Sequence, residues 1–131
     1  MPIKWDEVAM STGMRDIDGQ HQEWIKQINE FDQAVSNGMG IDKVFNTLAF
    51  LVQYTDLHFS HEEDRMLACN CPALAENRRA HDRFRLRLDE LLNWLKEEQP
   101  TPVEIMTFKR ELENWITNHI CTIDIKLREC Q

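Results

Sequence analysis

The sequence predicts an all-α fold, an antiparallel up-down four-helix bundle preceded by an extended N-terminal arm. Two observations carry the helices and a third carries their arrangement. Glycine and proline number four each in 131 residues and fall in clusters, which punctuates the chain. Between clusters the apolar residues recur at alternating steps of three and four, the spacing of one face of an α-helix. The connections are short, as antiparallel neighbours require.

Residues 1–17 read as the arm. The first helix is expected over 19–37 and ends at "SNGMG". Its inward stripe is Trp24, Ile28, Phe31 and Val35, and one step back lands on His21. The second, over 41–67, carries Val44, Leu48, Leu51 and Thr55, and the next steps are His58 and Glu62. "ACNCP" breaks it, and Pro72 suits the first turn of a third helix over 72–97. That stripe reads Leu74, Asn77, His81, Phe84, Leu88, Leu91, Leu95. "EEQPTPVE" then ends the third helix and opens a fourth over 102–127, with Thr101 and Glu104 spaced as a capping box and Pro102 at the first helical position. Its stripe is Ile105, Phe108, Leu112, Trp115 and His119. With no internal repeat or low-complexity segment, residues 1–131 read as a single domain.

Composition narrows the function. A chain that is 29% charged and 42% hydrophobic is ordinary for a soluble globular protein. The net charge of −8 argues against non-specific nucleic-acid binding, which runs on basic patches. Arg78, Arg79, Arg83, Arg85 and Arg87 spread around their helix, so they read as a solvated face rather than a docking face. "MPIKWDEVAM" has no long apolar run, so no secretory signal is visible, and no membrane span is expected. Cys69 and Cys71 form a lone C-x-C with no second pair to complete a tetrahedral zinc site. They, Cys121 and Cys130 read as reduced thiols in a cytoplasmic protein, a redox-sensing role for Cys69 and Cys71 being the lesser alternative.

Each of the four stripes carries a histidine. One buried histidine is usually a core residue satisfied by a hydrogen bond. His21, His58, His81 and His119 on separate helices, joined by Glu62, ask for a shared purpose, because burying ionisable groups singly is costly. Neutral imidazole and carboxylate are suitable ligands for iron, and a shared metal offsets the burial of all of them. His58 and Glu62 stand at i, i+4 and project side by side. Asp124 lies at i+5 from His119, about 140° around the helix, and has to reach sideways to join. His61 points to the flank and reads as a rim residue; Glu63 and Asp64 read as solvated charges.

"IDGQHQEWIKQINEF", "HFSHEEDRM", "CPALAENRRAHDRF" and "WITNHICTIDIKL" resemble the four signature segments of the bacterial hemerythrins, in the family's order and over nearly the whole chain. The resemblance implies a four-helix bundle around a non-haem di-iron centre that binds O2 reversibly. By its pattern, His21 and His58 belong to one iron, His81 and His119 to the other. Glu62 and Asp124 bridge them beside an oxo or hydroxo bridge. The family has H-x-x-x-H on the third helix, and "NRRAH" puts Asn77 where the first histidine should stand. With four histidines, two positions are unfilled on six-coordinate irons instead of one. Asn77 fills the extra position through its amide oxygen, through a water or not at all, or serves as a hydrogen-bonding neighbour of a normal site.

The implied function is an O2-binding protein whose altered, open iron site suits O2 or redox sensing and takes small anions. Storage or delivery is the alternative. Hemerythrin domains also occur fused to signalling outputs, and a chain ending at "KLRECQ" has the extent expected of a domain excised from a longer sensor. No glutamate stands three before a histidine, Asp18 before His21 being nearest. A ferritin-like oxidase is therefore not expected and the protein does not read as an enzyme, weak oxidase or peroxidase chemistry at an open iron apart. A metal-free interaction module would leave the same buried charges uncompensated.

Overall fold

The computed structural model describes residues 2–98 and 100–130, and among these every regular element is helical. In chain order they are α1 (Glu7–Met10), α2 (Arg15–Ser36), α3 (Ile41–Ala68), α4 (Leu74–Glu97) and α5 (Pro102–Thr122), followed by a 3₁₀ segment, Asp124–Cys130. The four long helices form the bundle. Its up-down order follows from which ends meet. His21 near the start of α2, Glu62 near the end of α3, His81 near the start of α4 and Asp124 just past α5 converge at one end. Asp32 late in α2 meets Lys109 early in α5 at the other.

Boundaries differ from the expectation in four places, each for a local reason. The first bundle helix begins at Arg15, not 19, because Gly13 (φ 79°) turns the chain and Met14 is still extended. Gly19 therefore lies inside the helix, at a cost of about 1 kcal/mol relative to alanine. The arm is not wholly extended: Asp6 accepts from the amides of Val8 and Ala9 and caps the one-turn α1. The third bundle helix starts at Leu74, because the amides of Leu74 and Asn77 are satisfied by the carbonyls of Cys71 and Ala73 in the preceding turn. The last helix stops at Thr122, and the chain tightens into the 3₁₀ segment where 102–127 was expected to be one helix. The break at "EEQPTPVE" includes Gln99, which with Met1 and Gln131 lies outside the described residues. The capping box at its far end forms, Thr101 and Glu104 satisfying each other's amides.

The stripes bury as patterned. Trp24, Ile28, Phe31, Leu48, Leu51, Leu88, Leu91 and Leu112 are at most 1% exposed, each such side chain stabilising the fold by about 1.5–3 kcal/mol. Val35, Phe108 and Trp115 pack at the margin. The arm is tied to the bundle by Asn29, whose side chain bonds both the amide and the carbonyl of Ile3 at 2.9 Å. The arginines of α4 are held in surface pairs, Arg85 with Asp56 at 2.7 Å, Arg78 with Glu63 at 3.3 Å, and Arg87 with Glu90 at 2.8 Å. No helix among the described residues is long and apolar enough to cross a membrane.

Lys109 is 3% exposed, its ammonium 2.8 Å from Asp32 and 3.6 Å from Glu113, both also buried. Removing one member of a buried ionic cluster strands the others. Lys109→Ala should therefore cost about 3–5 kcal/mol in a denaturant titration, while metal content stays unchanged because the cluster lies at the opposite end of the bundle. A loss below about 1 kcal/mol would show that water already screens this cluster.

Candidate metal centre

The helical period brings His21, His58, His81 and His119 inward, as expected, and at one level of the bundle. His21, His58, Glu62 and Asp124 form one group and Glu62, His81, His119 and Asp124 a second, with the ligating atoms of each within 4.8 Å of one another. Glu62 and Asp124, both 0% exposed, belong to both groups. The sideways reach of Asp124 is achieved by ending the helix: α5 stops at Thr122, and the first residue of the 3₁₀ segment is turned beneath the site. Its two oxygens then lie 3.1 Å from His21 Nε2 and 3.1 Å from His119 Nε2.

The directions of these groups are more telling than their distances. His81 Nε2 is 3.3 Å and His58 Nε2 3.5 Å from a Glu62 oxygen, yet both nitrogens lack a hydrogen-bond partner, as do His119 Nε2 and both Asp124 oxygens. Buried polar atoms this close would normally satisfy one another. Here they stay unpaired while crowding within 4.8 Å of one another in each group, an arrangement a cation would satisfy. On this test the residues fit a metal.

Electrostatics agree. Burial alone would push Asp124 up, but the imidazoles of His119 and His21 hold it well below the usual carboxylate range. Burial and Asp124 likewise raise Glu62, and His21, His58 and His81 outweigh them and lower it. His21 shows the reverse balance: burial disfavours its charge, but the nearby carboxylates of Asp124 and Glu62 raise it to about 10. Burial keeps His58 well below its ordinary value. Two anions in a dry site thus draw a positive charge onto His21, and a metal cation would displace that proton.

Two of the remaining ring nitrogens are held from behind. His58 Nδ1 donates to Gln20 Oε1 at 3.0 Å, and His81 Nδ1 donates to Glu63 Oε2 at 2.8 Å. Both bonds fix the tautomer that leaves Nε2 free to face the centre. The flat rings are clamped as well: Phe59 stacks on His81 at 3.6 Å and Trp115 on His119 at 4.4 Å. Glu63 thus departs from the solvated charge expected of it, its carboxylate being only 16% exposed. Neither Gln20 nor Glu63 was legible as a site residue. The usable signal was chemical: a metal-bound histidine normally donates its other N–H to a nearby acceptor. Glu63→Ala should weaken metal affinity roughly 10–100-fold in competition with a chelator, and an unchanged affinity would show that stacking on Phe59 suffices to orient His81.

His61 lies at the rim, 41% exposed and 3.0 Å from Asp16. Asp18 is occupied in the arm turn, accepting from Ser11 Oγ and from the amide and hydroxyl of Thr12. Asn77 is fully buried, its amide donating to Glu62 Oε1 at 2.7 Å and to Met66 Sδ at 3.3 Å, with Oδ1 unpartnered. The amide thus leans on the shared carboxylate.

The family model of the hemerythrin HHE cation binding domain matches residues 12–128. A bacteriohemerythrin of Stenotrophomonas maltophilia (strain R551-3) is 29% identical over 118 residues, which cover 90% of this chain and 74% of that protein. Hemerythrin of Themiste dyscrita is 29% identical over 127 residues, covering 97% and 92%. Hemerythrin subunit 2 of Golfingia vulgaris is 32% identical over 104 residues, covering 77% and 79%. A wild-type hemerythrin crystal structure superposes with a TM-score of 0.88 at 20% identity, covering 99% of this chain and 98% of the other.

Proposed function

We propose that this chain, which belongs to the hemerythrin HHE cation binding domain family, holds two iron ions and binds O2 at them. Hemerythrins bind non-haem iron and O2, and as a family member the protein is a binding protein rather than an enzyme. The observation that carries the two-ion reading is the sharing of Glu62 and Asp124 by two otherwise separate ligand groups. In this reading His21 and His58 would hold one ion, His81 and His119 would hold the other, and Glu62 and Asp124 would serve both. A pair of adjacent irons supplies the electrons that reversible O2 binding requires. The chain supplies neutral imidazoles fixed by Gln20 and Glu63, a dry aromatic wall of Trp24, Phe59, Phe84 and Trp115, and a charge balance that favours cations. The whole of residues 1–131 acts as one such unit.

The site also supports a finer reading, sensing of O2 or redox state ahead of storage or delivery. Asn77 stands one turn before His81 and hydrogen-bonds Glu62, so the second iron would have one imidazole fewer than the family pattern and one more coordination position left for a small ligand. Such a centre loses electrons readily, which suits a signal better than a carrier. A signalling output, fused or associated, would be its partner, and the four unpaired thiols fit a cytoplasmic setting.

Iron quantification and an absorption spectrum of freshly purified protein test the first reading. Two irons per chain are expected, and one zinc, or no metal in a folded protein, sinks it. The finer reading is tested with Asn77→His, which places an imidazole at the open position. That variant should oxidise in air several-fold more slowly and bind azide more weakly in stopped-flow measurements. Equal rates in both proteins, each with two irons, would show that Asn77 does not set reactivity.

A further inference from the structure

At the end of the bundle below the centre, Met14, Ile17, Met66, Cys71, Ala73 and Leu127 form a small second core, with Cys69, Leu74 and Cys130 packed against it. Three of the four cysteines therefore meet at one place, although Cys130 is far from the other two in sequence. Cys69 and Cys71 belong to the turn between α3 and α4, where Asn70 adopts a left-handed conformation (φ 55°). Cys130 ends the 3₁₀ segment. It packs against the same buried cluster as Cys69, with Cys71 a member of that cluster. Cys69 and Cys130 also line the same surface groove, together with Gly13, Arg15, Asp16 and Arg65. Cys71 is buried beneath them at 6% exposure. All are free thiols.

We infer that Cys130 is a redox modification site that closes a disulfide with Cys69 under hydrogen peroxide, stapling the segment that carries Asp124 to the α3–α4 turn. Cys69 lines the groove open to solvent, and its sulfur, as the thiolate, attacks one oxygen of the peroxide. The O–O bond breaks, Cys69 becomes a sulfenic acid, and the departing hydroxide takes up a proton to leave as water. The Cys130 sulfur then attacks the Cys69 sulfur. The S–S bond forms as the S–O bond breaks, and the hydroxyl leaves with the Cys130 proton as a second water. Two thiols have lost two electrons and two protons, and one peroxide has been reduced to two waters. Burial, followed by the neighbouring thiols of Cys71 and Cys69, pushes the Cys130 thiol up to about 12, so the first attack on peroxide falls to Cys69. Cys71, buried but adjacent, is the reserve partner.

The linkage joins positions remote in sequence, so it removes freedom from a loop of roughly 60 residues in the unfolded chain. It also ties down the 3₁₀ segment that the arm already holds through Arg128, whose guanidinium donates to the carbonyls of Ser11 at 2.6 Å and Val8 at 2.7 Å. Oxidation should therefore raise Tm, by roughly 5–10 °C, and a reducing agent should reverse the rise.

The test treats the whole protein with a modest excess of hydrogen peroxide, alkylates the remaining thiols and maps a non-reduced digest by mass spectrometry. A Cys69–Cys130 cross-linked peptide is expected, with Cys121 alkylated. Cys130→Ser should abolish both the cross-link and the Tm rise, and Cys69→Ser should divert the link to Cys71. Full alkylation of Cys130 after peroxide overturns the inference. So does a Cys69–Cys71 link that persists in Cys130→Ser, over-oxidation of Cys69 without any link, or a disulfide found only between separate chains.

Discussion

Glu62→Ala should abolish metal binding at both positions at once, lowering bound iron at least tenfold. The reason is geometric: Glu62 offers its oxygens to His21 at 2.9 Å, to His58 at 3.5 Å and to His81 at 3.3 Å, and both ligand groups include it. Losing a terminal histidine removes one bond to one ion, whereas losing this carboxylate removes a bond to each and half of the negative charge that attracts them. Asn77 would lose its acceptor in the same step. The matched control is His61→Ala, one residue away but 41% exposed and engaged with Asp16. It should retain the metal and change stability by no more than about 0.5 kcal/mol. Metal analysis and the visible spectrum of both variants decide the matter. A Glu62→Ala protein that keeps two irons, or a His61→Ala protein that loses them, contradicts the arrangement.

Stripping the metal should produce the largest change in stability. Glu62 and Asp124 are both fully buried, and without a cation their charges lean on the proton that they draw onto His21. The candidate ligands come from α2, α3, α4, α5 and the 3₁₀ segment, so metal bound there would join every element of the bundle. A ligand present at a thousand times its dissociation constant stabilises the folded state by about 4 kcal/mol, which lowers Tm on removal by roughly 10–20 °C in a domain of this size. Calorimetry before and after reduction and chelation measures it. The 3₁₀ segment should loosen first, since Asp124 is its tie to the centre, and hydrogen exchange there should rise ahead of the helices. A Tm that ignores chelation would mean that the proton on His21 replaces the metal at no cost.

The core-facing positions of His21, His58, His81, Asn77 and His119 were legible in the chain because an α-helix repeats every 3.6 residues, whatever it packs against. The helix breaks at "SNGMG" and "ACNCP" were legible for an equally local reason, the backbone freedom of glycine and the ring of proline. Asp124 was different. Its spacing from His119 does not fit a continuous helix, and only the likeness to the hemerythrin segments singled it out. The structure supplies the cause by ending α5 at Thr122 and turning the next residues into a 3₁₀ segment.

The sequence by itself determined which side of each helix faces inward and which residue types wait there: four imidazoles, the carboxylate of Glu62 and the amide of Asn77. Tertiary structure alone decided the pairings across helices. It set Glu63 behind His81, Gln20 behind His58, the amide of Asn77 on Glu62, and Cys130 beside Cys69 and Cys71. The physical reason is that periodicity records a residue's angle about its own axis, while a contact depends on the rotation and height of the neighbouring helix. Residues at the edge of a stripe, such as Gln20 and Glu63, can turn toward solvent or toward a partner. The neighbouring helix, bringing a ring nitrogen within 3 Å, settles which.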